Sequence, residues 1–168
     1  MRAIDASSPA DWRRPFVVAA GGAFLLAMAG GALTQVGPWY RGLEKAALNP
    51  PDWLFAPAWT IIYALTVWAI VVAWRAAPSN AARRVIAVLF VVNAGVNVLW
   101  SYLFFTAQRP DWALIDVAFL WLSILAPLIF VRRFAPRAAL LLAPYLLWVS
   151  FASYLNFEVV RLNPPFGA

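Results

Sequence analysis

Five stretches of the chain are apolar for about as long as a helix needs to cross a bilayer core, and arginines, prolines or short polar turns separate them. They run from Phe16 to Leu33, Pro57 to Trp74, Val85 to Ala107, Trp112 to Val131 and Ala138 to Val160. The pattern predicts an all-α, integral membrane bundle of five transmembrane helices. It reads as a single domain over 15–163, with a polar N-terminal tail at 1–14, a C-terminal tail at 164–168 and no internal repeat.

Only one connection is long, the first loop at 35–56. From Gly37 it reads GPWYRGLEKAALNPPDWLFAPAWTIIYAL and passes without a break into the second span at Leu65. Pro50, Pro51 and Pro57 each lack a backbone donor and push the preceding residue out of the helical region, so the segment should be extended and stiff up to about Pro57. Trp39, Tyr40, Trp53, Phe55 and Trp59 supply rings suited to a membrane interface or to the mouth of a cavity. Two readings follow: a lid, or an aromatic belt with a kinked start to the second helix.

Composition narrows the chemistry. Apolar residues make up 64% of the chain and charged ones 12%, against roughly a quarter charged in ordinary globular proteins. There is no Cys and no His, and Met1 and Met28 are the only thioethers, so the usual ligands of zinc, copper and haem iron are missing and no metal site is expected. Dark hydrolytic or redox catalysis lacks its groups for the same reason. The net charge of +6 is spread as single or paired basic residues beside apolar runs, which fits membrane topology and not nucleic-acid binding.

Nine of the thirteen basic residues, Arg2, Arg13, Arg14, Arg75, Arg83, Arg84, Arg132, Arg133 and Arg137, fall on one side of the predicted bundle. The other four, Arg41, Lys45, Arg109 and Arg161, fall on the opposite side. In a bacterial inner membrane this bias puts the N-terminus in the cytoplasm, and the first loop and C-terminus across the membrane. Arg13-Arg14-Pro15 ahead of an apolar run also has the outline of an export signal, but such signals deliver soluble domains, and the remaining chain contains none.

Helical spacing then sorts side chains onto faces. Ala19, Ala23, Ala27 and Gly31 form a small-residue stripe, a face either for a homodimer or for another helix of the same subunit. Asn93, Asn97, Trp100 and Phe104 share one face of the third span; Trp59, Tyr63 and Thr66 share one of the second. The fourth offers Asp116 and Ser123, with Trp121 on a neighbouring face, and the fifth Tyr145, Trp148, Ala152 and Asn156. Each polar group taken singly reads as a clamp, for example Asn97 on a backbone carbonyl or Asn156 on Asp116. Together the stripes predict a cavity lined by rings with a few polar anchors, suited to a flat, largely apolar ligand. Asp116 and Glu158 are the acids within the spans, where carboxylates are costly; Glu158 lies near a helix end within reach of Arg161.

These motifs resemble the TspO/MBR family, the tryptophan-rich sensory proteins of bacteria and the mitochondrial translocator protein, or peripheral benzodiazepine receptor. The resemblance runs from about Phe16 to Asn163 and is carried by WYRGLEKAALNPPDWLFAPAWTIIY, NAGVNVLWSYLFF, ALIDVAFLW and PYLLWVSFASYLNFEVVRLN. It implies a five-helix bundle, usually dimeric, that binds porphyrins, and in many members sterols and benzodiazepine-type drugs, beneath the first loop. Trp59, Asn97, Trp100, Trp121, Trp148, Ala152 and Asn156 match the family's pocket, and Trp59 and Trp148 match tryptophans tied in some members to light-dependent porphyrin breakdown. Trp39, Trp53, Tyr63, Asn93, Asp116 and Tyr145 complete the expected ligand-binding set.

Two departures stand out. The loop has Ala46 and Leu48 where the family commonly has Pro and Trp, which predicts a looser lid. Phe157 stands where a sterol-recognition pattern wants Tyr, which favours porphyrin over sterol. With no His or Cys to ligate iron, the expected ligand is a metal-free porphyrin, its propionates near Arg41, Lys45 or Arg161, and no cofactor is required. A binding and regulatory membrane protein is the leading expectation; a transporter of porphyrin or sterol-like ligands and a light-dependent porphyrin-degrading activity are the alternatives.

Overall fold

Every apolar stretch folds as a helix that runs past its apolar limits into the flanking polar residues. The computed structural model describes residues 12–163, 165 and 166, so the expected tails lie mostly outside the described residues, as does Arg2. Helix α1 is Arg13–Leu33, α2 the short Pro38–Gly42, α3 Phe55–Ala76, α4 Asn80–Ser101, α5 Pro110–Arg132 and α6 Pro136–Leu162. A 3₁₀ turn, Asp52–Leu54, leads into α3, and a π turn, Tyr102–Thr106, extends α4. Five of these, all but α2, are long and apolar enough to cross a membrane.

The helices outlast their apolar cores because a backbone leaving hydrocarbon stays hydrogen-bonded to itself through the interface. Ser79 caps α4 by accepting the Ala82 N–H at 3.1 Å. Pro110 and Pro136 open α5 and α6 at positions where a missing N–H costs little. Pro57 likewise falls in the first turn of α3, which therefore begins at Phe55, two residues before the start the prolines predict.

Helix α6 packs against α5 and α3, and α5 against α4, while α1 leans on α3 and α4, which themselves barely touch. Three apolar clusters follow one another along the bundle. One, around Ile86, Val131 and Leu142, lies toward the arginine-rich ends; the middle one holds Ile62, Leu120, Ile124 and Val149; the last, under the first loop, joins Tyr40, Phe104, Ala113 and Val159. Outside, Val18, Leu25, Val91, Phe119, Leu140 and Leu147 are largely exposed. A continuous apolar exterior of this kind belongs to a chain solvated by lipid.

The small-residue stripe of α1 lies along both cavities of the bundle. Ala19 and Ala23 line one internal cavity, and Ala27 and Gly31 line another, while Val17, Val18, Phe24, Leu25 and Met28 point outward. The stripe thus borders open space between α1 and the helices of its own subunit, while Ala27 and Gly31 stay exposed. Helix α1 is an integral wall of the bundle.

Candidate functional site: an aromatic cavity beneath the first loop

The loop-side cavity has a volume of about 460 Å³ and is bounded by the C-terminal half of α1, the start of α3, the end of α4 and the facing parts of α5 and α6. Its aromatic wall consists of Tyr40, Phe55, Trp59, Tyr63, Trp100, Phe105 and Trp148, with Ala152, Val117 and Leu120 between them. Trp59 is the hub. Its ring lies 5.3 Å from Tyr63, 5.9 Å from Tyr145 and 6.5 Å from Trp148, the last two edge-on, and Phe55 closes on Trp148 at 5.8 Å. Edge-to-face pairs fix ring planes, so the wall keeps its shape without a ligand. Ala27 and Gly31 on α1 and Ala56 and Thr60 on α3 line the cavity and are themselves exposed, which sets its opening between these two helices.

Two polar networks hold the rings. Asn97 donates to the Tyr145 hydroxyl at 3.0 Å; that hydroxyl donates to Asn93 at 3.4 Å, and Asn93 donates to Ser123 at 2.9 Å. Three helices are thereby tied where hydrocarbon offers no competing partner. In the second network the Trp100 indole donates to Asn156 Oδ1 at 3.1 Å, and Asn156 Nδ2 donates to the Pro110 carbonyl at 2.8 Å. The expected Asn156–Asp116 clamp is absent.

Of the sequence-derived site residues, Trp59, Tyr63, Asn97, Trp100, Trp148 and Ala152 converge on the cavity. Tyr145 and Asn93 border the second cavity and bind each other; Asn156 is 1% exposed and acts behind Trp100. Four others lie outside the cavity lining. Trp53, on the 3₁₀ turn, is 70% exposed and faces away. Trp39 packs edge-on against Phe104 in the cluster under the loop, outside the cavity lining. Trp121 is drawn aside by a 2.9 Å bond to Ser150 on α6. Asp116 is buried in α5 outside the lining, and its Oδ2 has no hydrogen-bond partner among the described residues. Phe105, Ser101 and Asp52, which helical counting did not place in the site, line it.

The first loop, the lid of the sequence reading, is tied to the end of α6. Asn163 at the end of α6 accepts the Glu44 N–H at 3.0 Å and donates to the Glu44 carbonyl at 2.9 Å. Ala46 is buried, whereas Leu48 projects outward. Tyr40 of α2 is buried against Phe104 and Phe105, with the Lys45 ammonium 4.5 Å above its ring and its hydroxyl 3.5 Å from Asp52. Burial, reinforced by the Asp52 charge and hydrogen bond, pushes the Tyr40 phenol up to about 12. The folded state thus holds this proton more tightly than the unfolded chain, whose phenol titrates near 10. The lid contact contributes fully below pH ~10 and is lost as pH rises through ~12. Tyr40→Phe should remove one phenol from the late part of the phenolate titration, and proteolysis of the loop should rise in that window for the wild type.

A bundle of five membrane-length apolar helices, with an aromatic cavity under the first loop, defines a small integral membrane protein. The sequence profile of the TspO/MBR family matches residues 16–162, and the chain belongs to that family. It is 41% identical to the tryptophan-rich protein TspO of Chlorobaculum tepidum over 126 residues, 75% of this chain and 80% of that one. It is 40% identical to the protein of the same name in Archaeoglobus fulgidus over 129 residues, covering 77% and 82%. To the translocator protein of Homo sapiens it is 31% identical over 126 residues, covering 74% and 75%.

Proposed function

We propose that this protein is a receptor that binds metal-free porphyrins in the loop-side cavity and regulates tetrapyrrole handling or stress signalling. The observation that supports it most is the wall of Trp59, Tyr63, Trp100 and Trp148, whose polar company is limited to a few groups, Asn97 and Ser101 among them. A macrocycle presents a broad π face, and offset or edge-on indoles match it. No basic side chain lines the cavity itself, so the propionates remain at its mouth, toward Arg41 and Lys45 on the lid. Arg161 is already engaged by Glu158 through bonds of 3.1 and 2.7 Å and is the weaker candidate. The absence of His and Cys from the sequence leaves haem iron without its usual axial ligands. We place the chain in a bacterial envelope membrane with its arginine-rich end in the cytoplasm.

Titrating the purified protein with protoporphyrin IX at micromolar concentration should quench tryptophan emission to saturation at one ligand per chain. Absence of both tryptophan quenching and any change in porphyrin emission sinks the reading. The 6.5 Å Trp59–Trp148 contact favours one second reading, light-dependent oxidation of the bound porphyrin by oxygen. Retained binding with loss of bleaching in Trp59→Phe and Trp148→Phe would establish it.

A further inference from the structure

A second cavity, of about 550 Å³, lies in the opposite half of the bundle, where α1 bridges the gap between α3 and α4. Its size falls within the roughly 300–1,000 Å³ of small-molecule sites. The inner walls are aliphatic, from Ala19 and Leu26 on α1 to Ile70 and Ile86 on α3 and α4. The two ends differ. At the inner end Tyr63 is shared with the loop-side cavity, and Thr66 carries a buried hydroxyl with no hydrogen-bond partner among the described residues. At the outer end stands Arg14, opposite Trp74, on whose ring the Arg83 guanidinium rests at 5.9 Å while its Nε donates to the Trp74 carbonyl at 3.2 Å.

An aliphatic slot with Arg14 at its mouth, and with Arg83 just behind Trp74 on the same rim, is complementary to an amphiphile with an anionic head. The mouth lies at the arginine-rich end of the helices, at the level where lipid headgroups meet a membrane protein. We propose that this cavity is a site for an anionic phospholipid of that leaflet, one acyl chain between α1, α3 and α4 and its phosphate held by Arg14 and Arg83. Arginine suits this task because its planar fork matches phosphate oxygens. The site is separate from the loop-side cavity and does not rest on the porphyrin reading.

Gly22 lines the cavity, and a Cβ built there meets nothing within 4 Å, so the side chain of Gly22→Phe starts in open space and takes volume from the slot. The full chain would be offered equimolar phosphatidylglycerol and phosphatidylcholine of identical acyl chains in mixed micelles, and its retained lipid read by native mass spectrometry. One phosphatidylglycerol per chain is expected, in roughly tenfold preference over phosphatidylcholine. Gly22→Phe should lose the retained lipid while keeping its helical circular dichroism. The Arg14→Gln, Arg83→Gln double variant should keep a lipid but lose the preference. Equal retention of both lipids by the wild type, retention of neither, or unchanged phosphatidylglycerol in Gly22→Phe each overturns the proposal.

Discussion

Porphyrin affinity is expected to fall roughly 50- to 300-fold in the Trp59→Ala, Trp148→Ala double variant, corresponding to about 2.3–3.4 kcal/mol. Each indole offers a ligand a large apolar face, and losing one contact of that size costs about 1.5–2 kcal/mol. The two rings touch edge-on, so truncating one also frees the other to shift, and the pair should fall short of the sum of the singles. Binding is best followed by porphyrin emission, because the substitutions remove part of the intrinsic reporter. Trp53→Ala is the control: its ring faces away from the chamber and its loss should leave affinity unchanged. A Trp53 effect as large as that of Trp59, or a double variant that binds like the wild type, would put the ligand elsewhere on the molecule.

That contrast between two tryptophans only six residues apart shows what a sequence can and cannot convey in a membrane chain. The five spans were legible because hydrocarbon demands about twenty apolar residues whatever else they do. Helix ends were less so: Arg13, Arg75, Arg132 and Arg161 all continue the helices beyond the apolar signal. Period told which residues share a face, and Trp59 with Tyr63, and Trp148 with Ala152, do meet in the cavity. Which face looks inward is another matter. A soluble helix announces its inner side by polarity, but a lipid-facing side is as apolar as a core. Trp121 was therefore ambiguous, and its bond to Ser150 on α6 decided where the ring went.

Two further features have no local sequence signature. The π turn at Tyr102–Thr106 inserts extra backbone per turn, so counting by 3.6 from Asn93 holds through Trp100 and fails after it. Phe104 consequently stacks on Trp100 at 5.2 Å within the cluster under the loop, and Phe105 takes the cavity position. The lid is the other case. Losing the usual proline and tryptophan at Ala46 and Leu48 predicted slackness, yet Asn163, more than a hundred residues away, holds the Glu44 backbone at both its N–H and its carbonyl. A long-range amide pair of this kind is invisible to any window of sequence.

Asn156→Ala should be the most destabilising polar substitution in the loop-side half of the bundle, costing about 2–4 kcal/mol and lowering the thermal midpoint in detergent by roughly 5–15 °C. The side chain is 1% exposed and joins three helices: it sits on α6, accepts from Trp100 on α4 and donates to the Pro110 carbonyl at the start of α5. Removing it orphans a half-buried indole donor and takes one partner from a buried carbonyl, losses that hydrocarbon does nothing to compensate. A small void adds to the cost. The indole then has no reason to hold its plane, so porphyrin affinity should drop as well, although Asn156 lies behind the cavity wall. Trp100→Phe separates the two effects, since it deletes the donor along with the need for an acceptor. In a Trp100→Phe background, Asn156→Ala should cost at least 1 kcal/mol less than in the wild type. If the two substitutions are additive in stability, the hydrogen bond is not what positions the ring, and the second polar network loses its role in shaping the site.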